Sequence, residues 1–85
     1  MKEFNYKITD ELGVHARPAG LFAKEAAAFP CKITIVKDGK EADAKRIFGI
    51  MSLGIKAGQE ITLRVEGEKE EEAIAQLSRF LQENL

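Results

Sequence analysis

Phe4, Tyr6 and Ile8 alternate with Glu3, Asn5 and Lys7. A period of two marks a strand with one buried side. The same period returns at Ile33 and Ile35, set among Lys32, Thr34 and Val36, and again at Ile61, Leu63 and Val65, set around Thr62 and Arg64. Asp38-Gly39 follows the second of these runs. A two-residue type I′ turn needs positive φ at both central positions, and this pair supplies it. A hairpin is expected there, with Lys40 to Asp43 returning as a short third strand. Its charges suit an exposed sheet edge, where they discourage pairing with other chains.

Between these runs the period changes to that of a helix. From about Ala16 to Ala28, Ala19, Phe22, Ala26 and Phe29 fall on one face at 100° per residue. Pro18 suits a first helical turn, where an N–H has no partner within the helix, and Pro30 ends the run. Arg17, Gly20 and Lys24 fall on the opposite face. They form either an ordinary solvated face or two cations set to meet an acidic partner or a phosphate. Lys45 to Gly54 predicts a short helix of about two turns, ending at a glycine. Five of its residues are large and apolar: Ile47, Phe48, Ile50, Met51 and Leu53. Either the helix is wholly buried, or part of the surplus forms a patch around Ile47, Phe48 and Met51 for a partner. Arg46 is a poor N-cap, and its charge opposes the helix dipole. Ala57-Gly58 marks a turn before the fourth strand. In the last helix, Ala73, Ile74, Leu77, Phe80 and Leu81 make the buried stripe. Glu68, Glu70, Glu71 and Glu72 crowd its start, where negative charge complements the dipole.

The predicted order is β-α-β-β-α-β-α. Strands with one apolar face and two strongly amphipathic helices imply an α+β fold, a single sheet covered on one side. Eighty-five residues leave room for one domain over 1–85. Hydrophobic content of 45% with 32% charged residues is ordinary for a globular chain. A net charge of −1 with no basic run argues against a nucleic-acid footprint. The lone Cys31 excludes an internal disulfide and a Cys-cluster zinc site, and is read as a small core filler. With a single histidine, no metal site and no cofactor are expected. No apolar run reaches membrane length, so no membrane insertion is expected. Met1-Lys2-Glu3-Phe4 lacks an apolar signal region, and a cytoplasmic location is expected.

That one histidine, His15, lies in Gly13-Val14-His15-Ala16-Arg17-Pro18, at or just before the first helix. The N–H groups of a first turn point outward, and the dipole there is positive, so such an end attracts anions. An imidazole, a guanidinium and free N–H groups together can seat a phosphoryl group on the ring. As a residue type, histidine titrates near pH ~6.5, so neutral imidazole is available as a nucleophile at cell pH. Asp10 and Glu11 are the other acid–base residues near His15 in sequence, and are read as solvated loop carboxylates.

With these two segments in this element order, the whole chain resembles the HPr family of histidine-containing phosphocarriers of the bacterial phosphoenolpyruvate-dependent sugar phosphotransferase system. The resemblance rests on Gly13 to Ala19 and on Lys45-Arg46-Ile47-Phe48-Gly49-Ile50-Met51-Ser52-Leu53-Gly54. It implies an open-faced β-sandwich, with an antiparallel sheet in strand order 1-4-2-3 and the two long helices on one face. It implies that His15 accepts a phosphoryl group on Nδ1 from phospho-enzyme I and passes it to enzyme II A components. Arg17 would steady that group, and Pro18 would set the helix start. Partners would dock over the first helix, at Ala16, Gly20 and Lys24, and over Ile47, Phe48 and Met51. The chain would be a carrier and not a free-standing enzyme, since each partner supplies the rest of the machinery. A monomer is expected.

One position departs from the pattern. Many Gram-positive members carry a regulatory serine at position 46, and Arg46 has no hydroxyl to phosphorylate. His15 separates the chain from HPr-like regulatory proteins that lack the active histidine. Two alternatives to the sugar carrier are a nitrogen-related phosphotransfer paralogue and a regulatory interaction module of the same fold. An autonomous hydrolase is a remote further reading.

Overall fold

The computed structural model describes residues 1–85. Its elements run β1 (Lys2–Lys7), α1 (Ala16–Ala27), β2 (Lys32–Lys37), β3 (Lys40–Asp43), α2 (Ile47–Ser52), β4 (Glu60–Glu66) and α3 (Glu70–Asn84). The four strands form one antiparallel sheet in the order β1-β4-β2-β3. The element order is that predicted from the sequence pattern, and the antiparallel sheet and 1-4-2-3 topology are those the family resemblance implies.

Register explains which residues face the helices. Phe4 and Tyr6 lie opposite Leu63 and Ile61, and Ile33 and Ile35 lie opposite Val65 and Leu63. Ile33, Ile35, Ile61, Leu63 and Val65 are buried in a single 21-residue cluster, with Phe4 and Tyr6 packed against its margin. Helices α1 and α3 meet over this surface through Phe22 and Phe80, whose rings stack edge to face with centroids 5.5 Å apart. Burying a phenylalanine this completely contributes about 1.5–3 kcal/mol. The other sheet face is polar. There Arg64 lies 3.0 Å from Glu3 on one neighbour strand and 3.6 Å from Glu41. Thr34, expected to face solvent by alternation, is buried. It sits on a central strand, in register between Arg64 and Asp43, beneath this charged network.

The turns follow the predicted chemistry. Asp38 and Gly39 both have positive φ, +51° and +78°, as a type I′ hairpin requires. Helix α2 begins at Ile47, with its apolar pattern, two residues after the expected start at Lys45. The Asp43 side chain accepts the Lys45 N–H at 2.9 Å, and the Asp43 carbonyl accepts the Arg46 N–H at 3.1 Å. That local turn competes with helix over 43–46. Two lysines of the hairpin region close helix ends. Lys45 Nζ donates to the Phe29 carbonyl beyond α1 at 2.7 Å. Lys37 Nζ donates to the Leu53 and Gly54 carbonyls after α2, at 3.0 and 3.3 Å.

Candidate functional site

Residues 8–15 are braced before they reach α1. The Ile8 N–H donates to Gln59 and the Gly58 N–H to Ile8. The N–H groups of Thr9 and Asp10 and the Thr9 hydroxyl all donate to the main-chain oxygen of Leu85. The Gly13 N–H donates to the Asp10 carbonyl at 2.9 Å, closing a turn, and the Val14 N–H donates to Ile55 at 3.1 Å. Gly13 has φ +66°, and a Cβ there would lie 2.5 Å from the Ile55 carbonyl oxygen. Only glycine fits, because the loop presses directly onto the 55–57 backbone.

His15 is the N-cap of α1, with extended dihedrals (φ −97°, ψ 176°), and its carbonyl accepts the Ala19 N–H at 3.0 Å. Its ring makes no capping hydrogen bond and is about one-third exposed. The N–H groups of Ala16 and Arg17 precede the first intrahelical bond and so have no carbonyl partner in the helix. Pro18 is buried and contributes no N–H. The first turn holds no acidic residue, and the exposed Arg17 makes no ion pair. His15, Arg17, Pro18, Asp10, Leu21 and Asn84 line one shallow open cleft. The cleft thus joins a part-exposed imidazole, an unpaired guanidinium and the positive end of a helix dipole. Such a set holds an oxyanion and offers it a nitrogen nucleophile.

Around the cleft the expected partner positions divide. Ala16 and Lys24 are exposed. Gly20 is half-buried: a Cβ there would come within 3.3 Å of Ile47 Cδ1. Gly20 and Ile47 therefore form the seam where α2 lies against α1, and Gly20 does not share the open face of Arg17 and Lys24. Ile50 and Leu53 are buried, whereas Phe48 is 85% exposed and Met51 38% exposed. The apolar surplus of α2 is divided between core and solvent. Leu12 and Leu21, not singled out from sequence, are also exposed. Arg46 is the N-cap of α2 and makes no side-chain cap hydrogen bond. Its exposed guanidinium lies 3.7 Å from Asp43. Asp10 was read as a solvated loop carboxylate; instead its Oδ2 lies 3.5 Å from His15 Nε2. The spacing Asp10-x-x-Gly13 is the sequence signal that could have found it, since it is a turn that folds position 10 back toward position 15.

Comparison with known proteins agrees with this geometry. The family described as the PTS HPr component phosphorylation site matches residues 2–83. The chain belongs to the HPr family. The HPr-like protein Crh of Bacillus subtilis is 45% identical over 85 residues, covering all of both chains. A crystal structure of that Crh, described as a swapped, intertwined dimer, superposes with a TM-score of 0.79 at 41% identity, covering 94% of this chain and 92% of that one. The phosphocarrier protein HPr of Buchnera aphidicola is 47% identical over 77 residues, 91% of each chain. The structure of a Mycoplasma histidine-containing phosphocarrier protein superposes with a TM-score of 0.94 at 38% identity, covering 96% and 93%. Members of this HPr family are phosphocarriers and not enzymes, and the open-faced antiparallel sheet with its helices is the family fold. No helix is long and apolar enough to cross a membrane.

Proposed function

We propose that this HPr-family chain relays a phosphoryl group through His15 Nδ1, from phospho-enzyme I to sugar-specific enzyme II A components, as a cytoplasmic monomer. The observation that carries the reading is the start of α1. The sole histidine is its N-cap, about one-third open to solvent, beside an unpaired Arg17 and a first turn free of acidic side chains. Phosphoryl transfer needs mostly positioning and charge stabilisation. Arg17 and the Ala16 and Arg17 N–H groups supply the second, and the braced 8–15 segment supplies the first. Ala16 and Lys24 on α1 and Phe48 and Met51 on α2 are the exposed positions on which both partners dock, with Ile47 and Gly20 holding α2 against α1.

The test is incubation with phosphoenolpyruvate and enzyme I. The expected product is an acid-labile, base-stable adduct on the wild-type chain and none on His15→Ala. An unmodified wild type, or an adduct that survives His15→Ala, overturns the reading. A regulatory module is the second reading, favoured by the full-length likeness to Crh and by the exposure of Phe48. Binding of a partner that ignores His15 phosphorylation but is lost in Phe48→Ala would select it. Light scattering in solution tests the monomer against a swapped dimer.

A further inference from the structure

Asp10 is the only ionisable side chain at ion-pair distance from the His15 ring, with Oδ2 3.5 Å from Nε2. Its place is fixed from several sides. Oδ1 accepts the Leu12 N–H at 2.9 Å. The Asp10 N–H donates to Leu85 at 2.8 Å, and the Asp10 carbonyl accepts the Gly13 N–H at 2.9 Å. One carboxylate oxygen is thereby occupied in a turn, and the other is held toward the ring.

We propose that Asp10 is a positioning residue of the relay: it keeps the ring proton on Nε2, leaves the Nδ1 lone pair free to attack phosphorus, and stabilises the cationic ring that results. The inference rests on the phosphocarrier reading above. A carboxylate only accepts hydrogen bonds, so the ring nitrogen facing it carries the proton. A neutral imidazole has one N–H, and Nδ1 is then bare. At 3.5 Å the contact is an ion-pair separation and longer than a hydrogen bond, and such contacts tighten as charge develops.

The transfer balances without a proton step at His15. The Nδ1–phosphorus bond forms from the ring lone pair. The bond from phosphorus to the donor breaks, and its electron pair leaves with the donor. Nε2 keeps its hydrogen, so the phosphorylated ring carries a positive charge 3.5 Å from the Asp10 carboxylate. In the onward step the Nδ1–phosphorus electron pair returns to the cationic ring, which leaves as neutral imidazole with its proton still on Nε2.

Nitrogen-15 spectra of the unphosphorylated ring, taken at a pH where it is neutral, test the proposal in the full chain. In the wild type the bound proton is expected on Nε2. In Asp10→Ala the signals move toward a mixture of the two tautomers. Asp10→Asn discriminates further. Its one oxygen keeps the Leu12 N–H, so its NH2 group faces Nε2 and favours the Nδ1–H form. Phosphorylation by enzyme I should slow about tenfold in Asp10→Ala and about a hundredfold in Asp10→Asn, the wrong-tautomer effect. A purely structural role predicts the reverse order, because asparagine preserves the turn. Ring signals unchanged in both variants, or Asp10→Asn outperforming Asp10→Ala, overturns the proposal. Failure of the relay reading is seen separately, as a wild type that never takes a phosphoryl group whatever the ring spectra show.

Discussion

The two long helices begin in opposite electrostatic states. The first turn of α3 carries Glu70, Glu71 and Glu72. Glu70 reaches back to accept the Gly67 N–H at 3.1 Å and lies 3.0 Å from the Met1 ammonium. The positive end of this dipole is answered by the chain's own carboxylates. The first turn of α1 carries no acid, its N-cap ring makes no capping bond, and Arg17 adds a further unpaired cation. A helix start built for stability resembles α3. The start of α1 leaves its dipole without a first-turn carboxylate, as the proposed phosphoryl seat requires.

The largest effect should come from making α1 resemble α3. Ala16 is exposed, so Ala16→Glu fits sterically. A carboxylate there should raise stability by about 0.3–1 kcal/mol through the dipole and slow phosphorylation about a hundredfold by occupying the anion seat. Thermal melts beside rapid-quench transfer assays check both halves; a variant that transfers at the wild-type rate breaks the comparison. Arg17→Ala removes only the added cation. Transfer should slow about tenfold, with unfolding midpoints shifted by less than about 0.5 kcal/mol, as for an exposed side chain without partners. The smallest effect belongs to α3. The Met1 ammonium, and then the Gly67 N–H, hold the Glu70 carboxyl below its ordinary value. A carboxyl whose folded value is lowered contributes stability above its unfolded value, and that stability is lost as pH falls through the folded one. Glu70→Gln should therefore unfold at slightly lower denaturant than the wild type near neutral pH. The gap should close in acid, below the ordinary carboxylate range. Phosphoryl transfer should not change.

Much of this molecule was legible in the order of its residues. Alternation at 4–8, 33–35 and 61–65 located strands because each has one wet and one dry face. Asp38-Gly39 and Pro18 were readable because their backbone preferences are local. His15 stood out as the sole imidazole at a helix start. What escaped depends on contacts between distant segments. Alternation exposes Thr34, but Arg64 from the neighbouring strand and its partners Glu3 and Glu41 form a network over that face. Helical periodicity sets Gly20 facing solvent, but Ile47 of another helix lies there. The start of α2 was placed two residues early, at Lys45, because the Asp43 turn holds 43–46 out of the helix. Asp10 was passed over because its bearing on His15 depends on how the 8–15 loop is clamped by 55–59 and Leu85.

The lysine amines that close α1 and α2 have a practical consequence for anyone studying how this carrier meets other proteins. Lys45 and Lys37 tie the ends of both helices to the β2–β3 hairpin by charged donors. Acylating reagents aimed at amines neutralise those donors and unfasten the helices that carry the proposed docking positions. Fluorophores, surface immobilisation and cross-linkers should therefore be attached through engineered thiols on the far sheet face, so that the assay does not loosen the surface it measures.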